Sequence, residues 1–294
     1  MMLSGINLHF PVNLDEALNL LEEKKGALIL AGGTDLLVDL KQGLIEAREL
    51  VSLQKIDELK AIEKDKDRIT LGALLTPEQI VASSLIDDYL PAVGEAARSM
   101  ASPQVRRLAT LGGNISSAVP SADLPPPLIA AGARIELLST RGKREINLID
   151  YFTGPRETDR RADELLARIH VPLPLPGTGA SFHKFALREA NALAVASAAA
   201  SLRIAGDKIL EAHIVLGAVS PTPIIASRAS EFLSGKKPST ENFEKAASTA
   251  REECKPISDI RGSAWFRREL VSVLARRALA EALLRAKSKE GKNR

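Results

Sequence analysis

The sequence predicts an α+β chain of two domains. Helical and strand-like apolar periodicities alternate through the N-terminal half. A stiff connector, Val171-Pro-Leu-Pro-Leu-Pro-Gly-Thr-Gly179, then interrupts the chain with three prolines and two glycines. Beyond it, strand-like runs come first and helical ones last. With 294 residues, 45% of them hydrophobic, the chain is long enough for two cores.

Asn13 is placed to cap a helix whose apolar positions are Leu14, Ala17, Leu18 and Leu21. Ala27–Ala31 has strand length and breaks at Gly32-Gly33-Thr34-Asp35, after which Leu36, Leu37 and Leu40 resume helical spacing until Gly43. Arg48–Leu53 and Arg68–Leu71 read as strands. Thr76-Pro77-Glu78-Gln79 is a capping box with proline at the first helical position. Leu90–Met100 is a further helix, closed by Ser102-Pro103, and Asp123 is placed to cap a helix running to Ala131. Ser139-Thr-Arg-Gly-Lys143 has the composition of a hairpin turn between Ile135–Leu138 and Arg144–Leu148.

In the second domain, Phe182–Leu187, Ala192–Ile204 and Ile209–Ala218 read as an antiparallel sheet, with Gly206-Asp207 turning one hairpin. Helices are expected around Ile225–Ser234, Thr240–Cys254 and Ala264–Ala286. The domains so drawn are 1–175, with subdomains of about 1–58 and 59–175, then 179–287, and a basic tail at 288–294.

Several function classes are excluded by composition. A single cysteine, Cys254, makes neither an internal disulfide nor the four-thiolate cradle of an iron–sulfur cluster, and on a helical stretch it reads as core. His9, His170, His183 and His213 are scattered, with no zinc-like spacing, so no metal site is expected in this chain. No apolar run reaches membrane-spanning length, and the N-terminus lacks the features of a signal peptide, so a cytoplasmic protein is expected. The net charge of +3 comes from the C-terminus, since Arg285–Arg294 carries five basic residues and one acidic. That end reads as a solvated helix terminus, and ten aromatic residues are too few for a nucleic-acid stacking surface.

The chemistry-bearing features are two glycine pairs. Gly32-Gly33 sits between a strand and a helix, and Gly112-Gly113 follows a polar loop. Glycine at positive φ lets successive backbone N–H groups point into one concavity that holds phosphate oxygens. Two such turns can grip a diphosphate from both sides, although Gly-Gly is equally a plain device for a tight turn. Neither pair belongs to GxGxxG or GxxxxGK[ST], so neither a Rossmann nucleotide site nor a P-loop is indicated.

Leu28–Gly43 (LILAGGTDLLVDLKQG) and Ser102–Ala130 (SPQVRRLATLGGNISSAVPSADLPPPLIA) resemble the two FAD-binding loops of molybdenum-hydroxylase flavin subunits, the xanthine dehydrogenase family. That group includes the medium subunit of aerobic carbon monoxide dehydrogenase. Phe152–Thr158, Leu216–Ala226 and Pro256–Leu279 are similar to its later signatures, so the resemblance covers nearly the whole chain in order. It implies a vanillyl-alcohol-oxidase-type FAD-binding domain of two α/β subdomains. A smaller C-terminal α+β domain with a three-stranded antiparallel sheet and helices would follow.

Position by position, the resemblance implies that Ile29, Leu30, Ala31, Gly32, Gly33, Thr34, Asp35 and Leu36, with Thr110, Leu111, Gly112, Gly113 and Asn114, wrap the diphosphate of a non-covalent FAD. Asp123 would accept from a ribose or ribityl hydroxyl. Leu166 would lie near the adenine, and Met100 and Leu111 near the isoalloxazine. Lys184 would lie near the ring, where a cation favours an anionic reduced flavin; an ordinary exposed lysine is the competing reading. Many relatives carry an aromatic near the ring, where this chain has Met100 and Asn191-Ala192-Leu193, which leaves ring stacking and the acceptor (NAD, oxygen, a quinone or another carrier) open. No catalytic acid or base is implied.

The activity implied is that of an electron-transfer subunit. A small 2Fe-2S partner subunit would supply electrons, and a large molybdopterin-binding subunit would hydroxylate the substrate, in a dimer of heterotrimers. A scaffold paralogue without turnover keeps the same fold and is one alternative. A stand-alone flavin oxidase is the other, and the sequence offers no clustered acid–base residues for it.

Overall fold

The computed structural model describes residues 5–291, with side chains to residue 288. The first subdomain holds β1 (Asn7–His9), α1 (Leu14–Glu23), β2 (Leu28–Leu30), α2 (Leu36–Gln42) and β3 (Glu49–Ser52). Its sheet is parallel, in the order β1-β3-β2. Asn13 caps α1 by accepting from the Glu16 N–H, and Leu14, Ala17, Leu18 and Leu21 bury one face of that helix. Gly43 ends α2 in the left-handed conformation.

The second subdomain holds β4 (Ile62–Lys64), β5 (Arg68–Gly72), α3 (Pro77–Val81), α4 (Ser84–Tyr89), α5 (Pro91–Ser99), α6 (Pro103–Arg106), α7 (Leu111–Ser116) and α8 (Pro125–Ala130). It continues with β6 (Arg134–Ser139), β7 (Gly142–Asn147), β8 (Phe152–Gly154), β9 (Glu157–Thr158) and β10 (Leu165–Pro172). Strands β4-β5-β10-β6-β7 form an antiparallel sheet. The Thr76 capping box forms as expected. Ser102-Pro103 opens α6 as well as following α5, because Ser102 accepts from the Val105 N–H and proline suits a first helical turn.

The C-terminal domain holds β11 (Thr178–Phe185), β12 (Ala196–Ala205), β13 (Lys208–Gly217), β14 (Ile224–Ile225), α9 (Ser227–Leu233), α10 (Thr240–Glu253) and α11 (Ala264–Gly291). Its three long antiparallel strands gain a two-residue fourth, because Ile224 and Ile225 pair with β13 before α9 begins. The predicted tail at 288–294 is helical to Gly291 and otherwise lies outside the described residues.

This sheet is covered on both faces. Phe182, Ala199 and Val215 face the core of the N-terminal domain, while Ala198, Ala200, Leu202 and Ile214 face α10 and α11. That double burial explains why β12 reads as an almost unbroken apolar run instead of alternating. Cys254 belongs to the helix-side core, where burial pushes its thiol up from its ordinary pKa. No described helix is long and apolar enough to cross a membrane.

Candidate functional site

A cavity of about 680 Å³ lies where the three parts of the fold meet. Its walls come from the β2–α2 turn, from the α5–α6 and α7–α8 regions, from residues 156–166, and from Asn191–Leu193 of the C-terminal domain. Cofactor sites of about 300–1,000 Å³ are usual, so its size suits a dinucleotide.

The β2–α2 turn supplies its donors. Gly33 has φ +71, whereas Gly32 is glycine for a different reason: a Cβ there would lie 2.0 Å from the Leu108 carbonyl oxygen. The two cavity walls therefore meet backbone to backbone. The N–H groups of Gly32, Gly33, Thr34, Asp35 and Leu36 find no acceptor among the described residues. Asp35 also lines the cavity, and burial, then Asp39, pushes its carboxyl up, against the pull of Arg156 and Ser117.

The second glycine pair differs from the expected nest. Gly112 and Gly113 lie in the first turn of α7, with Thr110 as its cap, and neither takes positive φ. Their N–H groups are already used, Gly112 by Ala73 O at 2.7 Å and Gly113 by Thr110 Oγ1 at 3.1 Å. Leu111 and Asn114 N–H groups are taken by Leu75 O and Thr110 O. A Cβ on Gly112 would sit 2.7 Å from that of Ala73, so this pair lets α7 press against the chain after β5.

Asp123 does not cap α8: Leu124 occupies the cap position without a side-chain bond. Asp123 Oδ2 instead accepts from Lys184 Nζ at 2.7 Å, and Lys184 also donates to Ser99 O at 3.2 Å. Both side chains are nine-tenths buried. Burial pushes the Asp123 carboxyl up to about 6, against the pull of Lys184. Its other oxygen, Oδ1, is buried without a hydrogen-bond partner among the described residues, and Asp123 lines the cavity. Lys184 is thus a buried ion-pair partner behind the wall; it does not line the cavity, and it is not the exposed lysine of the competing reading.

Of the remaining expected residues, Ile29, Ala31, Leu36, Met100, Thr110, Asn114 and Leu166 line the cavity with the two glycine pairs, Thr34 and Asp35. Leu30 and Leu111 do not: both point into hydrophobic cores, Leu111 with no exposed surface. Sequence reasoning missed Arg156, Thr158 and Arg160 on the cavity wall, although Arg156 and Thr158 stand inside the segment Phe152–Thr158 that carries part of the resemblance.

Outside the cavity, His170, Glu136 and Glu145 come within mutual ligand distance across β10, β6 and β7. Their carboxylates are already matched, Glu136 by Arg168 at 2.7 Å and Glu145 by Arg134 at 3.7 Å. Cross-strand ion pairing accounts for the group.

Residues 4–174 match the family described as FAD binding domain in molybdopterin dehydrogenase, and residues 180–282 match the CO dehydrogenase flavoprotein C-terminal domain. The chain is 33% identical to the glyceraldehyde dehydrogenase medium chain of Sulfolobus acidocaldarius, covering 92% of this chain and 95% of that protein. It is 32% identical to the carbon monoxide dehydrogenase medium chain of Afipia carboxidovorans, covering 98% and 100%. Among solved structures, carbon monoxide dehydrogenase from Hydrogenophaga pseudoflava superposes with a TM-score of 0.93 at 30% identity, covering 97% of this chain and 99% of that one.

Proposed function

The chain belongs to the FAD-binding medium subunits of the molybdenum hydroxylase family, and from that premise we propose that it takes electrons from a 2Fe-2S partner subunit and passes them to an external acceptor. A large molybdopterin-binding subunit would perform the substrate chemistry, in the dimer of heterotrimers that the resemblance implies. When bound, FAD supplies the redox chemistry, exchanging electrons singly with a cluster and singly or in pairs with an acceptor.

The observation that carries this reading is the pairing of unused donors with an unused acceptor around one cavity. The N–H groups from Gly32 to Leu36 are donors without partners among the described residues, suited to phosphate oxygens. Asp123 Oδ1 is a buried acceptor without a donor among the described residues, suited to a ribityl or ribose hydroxyl. A buried orphan acceptor costs about 1–3 kcal/mol, which a ligand hydroxyl would recover.

The division of labour among the walls follows. Met100, Ala192 and Leu193 are apolar and would keep water from the isoalloxazine, while Leu166 would face the adenine. Lys184 neutralises Asp123 so that the carboxylate stays available as an acceptor. The N–H groups of Leu111–Asn114 hold α7 in place; through Thr110 and Asn114 this segment would contribute side chains to the cofactor site.

Purification of the full chain tests the first step. The expected result is a yellow protein that releases FAD, near one per chain, on denaturation. A folded chain without flavin even after incubation with excess FAD would defeat the reading. Mixing the loaded chain with a reduced 2Fe-2S partner tests the second step: flavin absorbance should bleach, and an unchanged spectrum would remove electron transfer from the proposal.

A further inference from the structure

The diphosphate of FAD carries two negative charges, and the cavity already holds the carboxyl groups of Asp35, Asp39 and Asp123. Anionic groups brought together in a partly desolvated site repel strongly unless a cation stands among them. Lys184 is engaged behind the wall by Asp123 and Ser99. Among the described residues, the cavity is lined by two cationic side chains, Arg156 and Arg160.

These two arginines are held differently. Arg160 Nη1 is committed to backbone, donating to the carbonyls of Arg161, Ala162 and Glu164. Arg156 is held by one carboxylate: its Nη1 donates to the buried Asp39 Oδ2 at 2.6 Å. No other acceptor meets its guanidinium among the described residues. Its backbone takes φ 63, left-handed for a non-glycine residue, and its N–H is fixed by Ala118 O at 2.9 Å. Backbone strain of that kind concentrates at ligand clamps. Asp39 lies on α2, one turn beyond the free N–H groups of Gly32 to Leu36. Arg156 is also close enough to Asp35 to lower its carboxyl pKa.

We propose that Arg156, oriented by Asp39, is the cation that pairs with the FAD diphosphate. Asp39 holds one nitrogen of the planar fork, leaving the others for phosphate oxygens. Arg156 is then a cofactor-binding residue with Asp39 as its positioning residue. The inference rests on the reading that this cavity takes FAD.

The test is equilibrium binding to the full-length chain stripped of flavin. FAD and riboflavin are followed by flavin fluorescence and ADP by calorimetry. Arg156→Gln should weaken FAD and ADP by about 10- to 100-fold, the range of a charge-assisted hydrogen-bonded pair. Riboflavin, which has no phosphate, should bind within about twofold of the parent, which also shows that the variant's cavity is intact. Arg156→Lys, keeping charge but losing the fork, should fall between.

The rival role, that Arg156 merely neutralises Asp39, is separated by Asp39→Asn combined with Arg156→Gln. Recovery of parental FAD affinity in that double variant would overturn the proposal; a persistent loss of FAD and ADP affinity supports it. Unchanged FAD affinity in Arg156→Gln would also overturn it while leaving the FAD reading standing. If the parent chain binds neither FAD nor ADP, the FAD reading fails and the proposal with it.

Discussion

Lys184 Nζ on β11 stands 2.7 Å from Asp123 Oδ2, so the C-terminal sheet supplies the counter-ion of a carboxyl in the FAD-type domain. The pair is buried, and removing one partner strands the other charge at a cost of about 3–5 kcal/mol. Lys184→Met is therefore expected to lower the unfolding free energy of the full chain by that order, read from urea denaturation. A loss under about 1 kcal/mol would show that the pair is solvated or dispensable.

The same carboxyl predicts a pH dependence. Its folded pKa, about 6, lies above the ordinary 3.8, so between these values the folded chain holds a proton that the unfolded chain releases. Its contribution to stability is fully present below the lower value and is lost as pH rises through the higher one. The unfolding free energy of the parent minus that of Asp123→Asn should fall between about pH 4 and pH 6 and level off above about pH 7. A difference constant across that window would mean that the carboxyl titrates normally.

Gly32 and Gly33 are expected to respond differently to alanine. At Gly33 the difficulty is φ +71, with only the Leu37 and Leu30 side chains to displace, a cost of about 1–2 kcal/mol. At Gly32 the new methyl meets the Leu108 carbonyl, which cannot yield without parting the two cavity walls. Gly32→Ala should abolish FAD retention, while Gly33→Ala weakens it. Gel filtration followed by flavin quantification ranks the two, and the reverse order would contradict the backbone contact.

How much of this was legible in the sequence depended on range. Asn13, the Thr76 box and Gly43 act on their own neighbours, so their elements could be read locally. Asp123 shows the limit: a carboxylate just before a proline-rich helix looks like a cap, yet its partner lies 61 residues away on another domain. Gly112-Gly113 and Gly32-Gly33 are the same dipeptide, but the hydrogen bonds from Leu111 to Leu75 and from Gly112 to Ala73 turn the former into packing. Arg156 went unnoticed because nothing local distinguishes it; its partner Asp39 is 117 residues earlier.

Glu95 clasps the two domains. Its carboxylate accepts from the Phe182 N–H at 2.7 Å, from Ser181 Oγ, and from Arg285 Nη2. Glu95→Ala leaves the Phe182 N–H without its acceptor, while Arg285 keeps the Ala180 carbonyl and Glu281, at a cost of about 1–3 kcal/mol for a half-buried site. Glu95→Gln keeps an acceptor for Phe182 and should cost less. Hydrogen exchange at the Phe182 amide should quicken in Glu95→Ala, and unchanged protection there would place the domain contact elsewhere.

The Asn191 N–H donates to Ala101 O at 3.1 Å, and both residues have positive φ, 52 and 38. This bond ties the Asn191–Leu193 loop of the C-terminal domain to the segment beside Met100, with both sides lining the cavity. Asparagine tolerates the left-handed region and a β-branched residue does not. Asn191→Val should open the latch by about 1–2 kcal/mol, whereas Asn191→Gly keeps both the backbone conformation and the N–H. If the loop retains the cofactor, FAD should leave the Asn191→Val chain about 5- to 30-fold faster than the Asn191→Gly chain, as followed by exchange of bound FAD. Equal rates would mean that the loop closes over the cavity without holding its contents.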